Sequence, residues 1–204
     1  MKNNFKTQQE KFWLENFGNQ YIDRNGKSKN RILQIGNALK KNKVKIASAL
    51  ELGCNVGYNL DALKKIYNKI DLNGVEINLK AYKKVKKKYN CYNESILNFD
   101  TSLKYDLVFT SGVLIHVNPK YLNKVYEKIY NFSKKYIYIQ EYFNPVPIEV
   151  KYRGHKGKLF KRDFAKEIKF KYKNLKIIDY GFFWKEDPIF KGNCDNSNWF
   201  LFKK

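Results

Sequence analysis

Cysteine is scarce in this chain. Cys54, Cys91 and Cys194 are its only three, far apart and odd in number. No C-x-x-C pair occurs, so neither a zinc site nor a disulfide framework is indicated, and a reducing compartment fits this usage. No apolar run approaches the length that crosses a bilayer. The N-terminal MKNNFKTQQEKFW lacks the apolar stretch of a secretory signal. These absences point to a soluble, cytoplasmic protein without a metal. Acids are few as well: 19 Asp and Glu stand against 41 Lys and Arg, a formal net charge of +22. Such a surface attracts nucleic acid, headgroups or phosphorylated metabolites. The lysines are, however, spread along the chain together with Asn, Ile and Tyr, as an AT-rich coding sequence produces, and form no basic arm.

What is present suffices for one domain of 204 residues, 43% of them apolar. Near-continuous apolar runs at 46–53 (IASALELG), 70–77 (IDLNGVEI), 105–112 (YDLVFTSG) and 136–143 (YIYIQEYF) read as parallel strands covered on both faces, with a shorter strand near 90–95. Helical patterns lie between them at 58–68, at 79–89 with Leu79, Tyr82 and Val85 inward, and at 119–133 with Leu122, Val125, Ile129 and Phe132 on one stripe. Pro119 suits a first helical turn. The alternation predicts an α/β fold, a Rossmann-like doubly wound sheet over 46–204 with a helical cover over 1–45. Runs at 175–184 and 198–204, with no clear helix between them, are expected to pair antiparallel at one edge, so the sheet is mostly parallel with an antiparallel C-terminal strand.

The stretch ELGCNVGYNL, 51–60, carries the first chemical signal. Gly53 and Gly57 bracket a turn from strand to helix, where the backbone can bend sharply and helix N–H groups can meet a ligand. Asn55 stands where a dinucleotide fingerprint has its middle glycine, and the third glycine is missing. Glu51, at the end of the strand, repels a pyrophosphate and suits a cation. Glu76, at the end of the next strand in GVEIN, can accept both hydroxyls of a ribose. A cationic part and a ribose together describe S-adenosyl-L-methionine better than a nicotinamide dinucleotide.

The ordered set ALELGCNVG, GVEIN and YDLVFTSGVLIHVNP, followed by two C-terminal strands, resembles the class I S-adenosylmethionine-dependent methyltransferases over roughly 46 to 204. More narrowly, FWLENFGNQYIDRN before ELGCNVGYNL is similar to the methylases associated with pseudaminic acid biosynthesis, enzymes linked to a nine-carbon acidic sugar. The resemblance implies S-adenosyl-L-methionine as cofactor and S-adenosyl-L-homocysteine as product. It implies that Glu51, Gly53, Asn55 and Gly57 line the methionine half, that Glu76 binds the ribose, and that Ser95 and Ile96 flank the adenine. Cys54, Ile77 and Ser111 complete that candidate set. Asn55 departs from the glycine of most relatives, though Asn tolerates left-handed backbone angles.

Candidates for the chemistry lie just past the strand ends. His116 is the base best matched to neutral pH, or else a helix-entry residue packing beside Pro119. Glu141 is a base or hydroxyl ligand, or else the partner of a lysine. No N/D-P-P-Y/F tetrapeptide follows the fourth strand and no Pro-Cys pair occurs, which removes the signatures of base-modifying enzymes. Cys194 reads as an ordinary loop thiol.

Trp13, Phe17 and Tyr21 share one helical face, which either shapes the acceptor site or packs on the sheet. Tyr21, Arg24 and Asn25 could close over the cofactor, with Arg24 reaching its carboxylate. Tyr142 and Asn144 follow the fifth strand. The segment 144–164, which leads to a helix, offers Arg153, His155, Lys158 and Arg162 for a carboxylate or phosphate, or is a solvated basic loop. Phe160 and Phe164 look like one helix face. The expected partner is a small anionic or sugar-like acceptor, methylated on oxygen. The alternatives are an RNA methyltransferase and a non-catalytic cofactor-binding protein of the same fold.

Overall fold

In the computed structural model, which describes residues 5–24, 31–190 and 194–204, nine strands form two sheets. They are β1 (Ser48–Leu52), β2 (Asp71–Val75), β3 (Asn90–Tyr92), β4 (Tyr105–Ser111), β5 (Ser133–Glu141), β6 (Ile148–Tyr152), β7 (His155–Lys161), β8 (Lys176–Phe183) and β9 (Ser197–Lys203). Seven of them make the main sheet in the order β3-β2-β1-β4-β5-β9-β8. All adjacent pairs from β3 to β5 are parallel, and β9 pairs antiparallel with both β5 and β8. One reversed strand in an otherwise parallel sheet is the expected Rossmann-like arrangement, and β1 beside β4 is its switch point.

The continuous apolar runs follow from double coverage. Leu50, Leu52, Val108, Ile137 and Ile139 point into one buried cluster, with Leu122, Val125, Ile129 and Phe132 of the helix on that side. Ala49, Leu107, Phe109 and Tyr138, the alternate residues, point into a second cluster with Ala38, Leu39, Leu60 and Leu63. Alternation along a strand sends successive side chains to opposite layers, so a strand covered on both faces is mostly apolar, with Glu51, Asn73 and Thr110 as buried polar interruptions.

The helices are α1 (Gln8–Leu14), α2 (Asn16–Arg24), α3 (Asn37–Lys41), α4 (Tyr58–Ile66), α5 (Leu79–Val85), α6 (Leu122–Phe132) and α7 (Phe164–Lys171). A π-turn, Ile32–Gly36, leads into α3. α1 starts on a capping box, in which the Thr7 hydroxyl accepts the Glu10 N–H at 3.1 Å and the Glu10 carboxylate accepts the Thr7 N–H at 2.7 Å. A 3-10 turn, Pro119–Tyr121, precedes α6, so the proline opens the turn and not the α-helix.

Three expectations are corrected. α5 ends at Val85, and Leu79 is 48% exposed; the buried side of this helix is Ala81 and Val85. Trp13, Phe17 and Tyr21 lie on two helices, because the chain breaks at Glu15 between α1 and α2. The segment before α7 is the antiparallel hairpin β6–β7, so Phe160 is a strand residue and Phe164 a helix residue.

The hairpin lies against α1: Gln9 Nε2 donates to the Gly157 carbonyl at 2.7 Å and Lys158 Nζ to the Gln8 carbonyl at 3.0 Å. At the far side of the main sheet, β8 is an edge strand. Ile178, Tyr180, Phe182 and the following Trp184 are all exposed there, and Tyr180 stacks on Phe200 with ring centres 5.5 Å apart. Among the described residues, no helix is long and apolar enough to cross a membrane.

Candidate functional site

A cleft of about 740 Å³ opens over the carboxyl ends of β1, β2, β4 and β5, beneath α1, α2 and the β6–β7 hairpin. Its floor is the glycine turn after β1. Gly53 has φ +78°, and a Cβ there would lie 2.7 Å from Val113 Cγ2. Asn55 has φ +48° and accepts the Val56 N–H on its own side-chain oxygen at 2.7 Å, which supports the left-handed backbone locally. Gly57 caps α4 with φ +85°, but it does not line the cleft. A Cβ on it would meet Val85 of α5 at 2.8 Å, so its absence of a side chain serves helix packing.

Glu51 is 1% exposed. Its Oε1 accepts from Asn59 Nδ2 at 2.6 Å, while its Oε2 is buried with no partner among the described residues. Burial pushes this carboxyl up to about 8, against the pull of the Asn59 hydrogen bond and the Arg31 charge. Arg31 also lines the cleft, and its Nε is buried without a partner among the described residues. An acid and a base with unmet hydrogen-bonding capacity thus share one end of the cleft. Nothing in the local sequence pattern singled out Arg31.

Glu76, on the neighbouring strand, accepts the Asn55 N–H on Oε2 and the Asn78 N–H on Oε1, each at 2.7 Å. Burial raises it to about 7, and the backbone donors oppose that rise. The acid at the tip of β2 therefore holds the turn that follows β1. Each carboxylate oxygen has a second lone pair, so capacity for ligand hydroxyls remains. Asn78 was not predicted. Its Oδ1 caps α5 by accepting the Ala81 N–H at 3.0 Å, and its Nδ2 donates to the Trp13 carbonyl and Asn19 Oδ1, both at 3.0 Å. It ties the helix break at Glu15 to the second strand. The N-cap position after GVEI was its legible signal.

Ile77, Ser95, Ile96, Cys54 and Ser111 all line the cleft. The Ser95 hydroxyl donates to Glu10 Oε1, which joins this wall to α1. Tyr21 and Arg24 line the roof, with the Arg24 guanidinium 5.1 Å from the Phe17 ring centre. Asn25 lies outside the described residues.

At the other end stand Trp13, His116, Tyr142, Tyr152 and Arg153. The His116 ring centre is 4.7 Å from that of Trp13 and 4.9 Å from that of Tyr152. Its Nδ1 lies 2.6 Å from the Lys158 carbonyl, which can only accept, so Nδ1 carries the proton of the neutral ring and Nε2 keeps a lone pair. Burial lowers this imidazole to about 4. Arg153, at the hairpin tip, has φ +46°.

Other candidates are placed elsewhere. Glu141 is 2% exposed and does not line the cleft. Its Oε1 accepts the Val113 and Leu114 N–H groups at 3.1 Å, and its Oε2 accepts that of Ile115 at 3.3 Å. It braces the loop that carries His116 and pairs with no lysine among the described residues. Asn144 donates to the Val146 carbonyl at 2.6 Å, away from the cleft. His155 packs on Phe12 and Phe17, Lys158 reaches back to α1, and Arg162 pairs with Glu167 at 3.4 Å. Of the basic set at 144–164, the structure brings only Arg153 to the cleft. The hairpin pattern Ile148, Val150, Tyr152 is the period-2 signal that sequence reading passed over.

No family model matches the chain, and no curated protein matches it. Solved structures do share its fold. The magnesium protoporphyrin IX methyltransferase of Synechocystis PCC 6803, solved with bound S-adenosylhomocysteine, is 12% identical with a TM-score of 0.69, over 96% of this chain and 97% of that one. The N-methyltransferase NodS of Bradyrhizobium japonicum WM9, also in complex with S-adenosylhomocysteine, is 14% identical at 0.65, over 97% of each chain. Coclaurine N-methyltransferase, bound to N-methylheliamine and S-adenosylhomocysteine, is 10% identical at 0.68, over 89% of this chain and 75% of that one. The Rossmann-like fold of these methyltransferases is the fold of this chain.

Proposed function

We propose that the protein is an S-adenosylmethionine-dependent methyltransferase that methylates a hydroxyl of a small polar acceptor, of the sugar or nonulosonic acid type. One observation carries the cofactor half of this reading. Glu51 Oε2 is buried in the cleft and unpartnered among the described residues, and burying an acid without a partner is costly unless a cation is to meet it. The α-ammonium of the cofactor's amino acid end suits Glu51, its carboxylate suits Arg31, and its ribose hydroxyls suit Glu76. Three solved neighbours that carry S-adenosylhomocysteine in the same fold support the same assignment.

When bound, the cofactor's sulfonium supplies an electrophilic methyl group. The chain's part is to place the acceptor and take its proton. Trp13, Tyr142 and Tyr152 offer flat apolar walls that suit a ring and keep water from the cleft. Arg153 suits an acidic group on the acceptor. His116 offers Nε2 as the proton acceptor. An imidazole lowered to about 4 is a weak base, but it is neutral at pH 7. A weak base is enough, because an oxygen that is forming a third bond sheds its proton readily.

Calorimetry with S-adenosylhomocysteine tests the cofactor assignment: binding is expected for the native chain and loss of binding for Glu76→Ala, and a native chain that does not bind sinks it. A cytoplasmic extract supplied with methyl-labelled cofactor tests the acceptor, since a labelled sugar-type product is expected. RNA is the second reading and rests on the net charge of +22. Labelled RNA from the same extract, with binding that falls steeply as salt rises, would replace the sugar acceptor.

A further inference from the structure

Two thiols meet where the sheet should keep them apart. Cys54 follows β1 and Cys91 lies on β3, and β2 runs between those strands. Yet Cys54 Sγ is 3.7 Å from Cys91 Sγ. Gly74 makes the meeting possible. It faces Cys91 in the strand register, and a Cβ on it would lie 2.5 Å from Cys54 Sγ. The missing side chain is a window through which one sulfur reaches the other. Cys54 is buried and lines the cleft. Cys91 is half-exposed on the outermost strand and does not line it.

We propose that Cys54 and Cys91 are an oxidation site, which closes to a disulfide under a hydroperoxide and shuts the nucleoside end of the cleft. The half-exposed Cys91 reacts first: its thiolate attacks the O–O bond, an S–O bond forms, and the alcohol or water leaves. Cys54, which the Cys91 contact and burial keep as a thiol, gives up its proton as its sulfur attacks the Cys91 sulfur. An S–S bond forms, the S–O bond breaks, and hydroxide leaves as water after taking a proton. Two thiols and one hydroperoxide give one disulfide, one alcohol or water, and one water. Bonded sulfurs stand about 2.0 Å apart, so the pair must draw together from its present 3.7 Å. Cys54 sits on the turn, where its N–H is held by the Val75 carbonyl at 3.0 Å. Its neighbour Asn55 gives its N–H to Glu76. Drawing Cys54 toward β3 therefore pulls on the contact that sets the floor of the cleft. This consequence for binding rests on the nucleoside reading above; the crosslink itself does not.

The purified chain is treated with hydrogen peroxide, its remaining thiols are alkylated, and intact and peptide masses are recorded. The expected result is loss of two hydrogen masses, a linked peptide pair containing Cys54 and Cys91, reversal by dithiothreitol, and no such pair in Cys91→Ser. Cys91→Ser changes a half-exposed residue outside the cleft, and a urea melt confirms that it folds. Peroxide treatment that yields sulfinic acids or a Cys194 crosslink, without the Cys54–Cys91 pair, overturns the proposal. Calorimetry with S-adenosylhomocysteine reads the gate: binding is lost on crosslinking and returns on reduction. Crosslinked protein that binds as the reduced form does overturns the gate. Reduced protein that fails to bind sinks the nucleoside reading instead, and the mass test still decides the crosslink.

Discussion

The Glu76 carboxylate accepts the backbone N–H of Asn55 at 2.7 Å, so an acid at the end of one strand holds the turn at the end of its neighbour. Substitution there removes two things together. Glu76→Ala frees the Asn55 and Asn78 N–H groups and takes away the ribose acceptor. Loss of S-adenosylhomocysteine binding is expected in calorimetry, with a stability loss of about 1–3 kcal/mol in urea melts. Unchanged binding would remove Glu76 from the ligand site.

The buried acids make stability depend on pH in a defined direction. Glu51 rises from 4.5 to about 8, and Glu76 and Glu141 each to about 7. An acid whose folded value lies above its unfolded value keeps its proton longer in the native state, so stability falls as pH rises between the two values. His116 is lowered from 6.5 to about 4, which gives the opposite slope, confined to the acid side of 6.5. Above that point nothing from His116 offsets the acids. Urea midpoints of the ligand-free chain should fall from pH 6.5 to 8, and Glu51→Gln should flatten the fall.

The same group predicts a proton count on binding. A cation placed against Glu51 lowers its value from about 8, so at pH 7 binding of S-adenosylhomocysteine expels a proton to buffer. Calorimetry in two buffers of different ionisation enthalpy reads this release. Glu51→Gln should abolish it, and equal heats in both buffers for the native chain would refute it.

His116 is expected to act through Nε2. His116→Ala should lower kcat by roughly 10²–10⁴ with little change in cofactor affinity. Because the imidazole is neutral well below pH 6, the native rate should be flat through pH 6–8 as far as this group sets it. Turnover of the variant equal to the native at every pH would leave His116 a packing residue between Trp13 and Tyr152.

Gly53→Ala meets two obstacles, a backbone at φ +78° and a contact of 2.7 Å with Val113. The left-handed backbone alone costs about 1–2 kcal/mol. Adding Val113→Ala should recover the steric part only, so urea melts of the single and double variants separate the two costs.

The sheet was legible because its strands are buried on both faces, which leaves a near-continuous apolar run in β1, β2, β4 and β5. The glycine turn was legible because left-handed angles restrict residue choice at Gly53 and Asn55. The β6–β7 hairpin was hidden by its charges: Glu149, Lys151, Lys156 and Lys158 fill its alternate positions, and a lysine-rich stretch reads as solvated loop. Its contacts with α1 depend on fold, not on local pattern. Glu141 shows the same limit. Its place after a strand suggested chemistry, but its oxygens are turned toward three backbone N–H groups, which no local sequence pattern announces. Arg31 meets the site only through tertiary packing, and Asn78, legible as an N-cap, reaches Trp13 and Asn19 only that way.

The row Ile178, Tyr180, Phe182 and Trp184 gives the lysine-rich composition a further meaning. Two molecules that met along β8 would offer each other matching open backbone and matching rings. Like charge, +22 on each, holds them apart. At physiological ionic strength that repulsion reaches only about 8 Å, and added salt shortens it while strengthening the attraction between rings. One strand is thereby expected to set the protein's colloidal state, clear in dilute buffer and clouding in brine, and turbidity against salt concentration measures it.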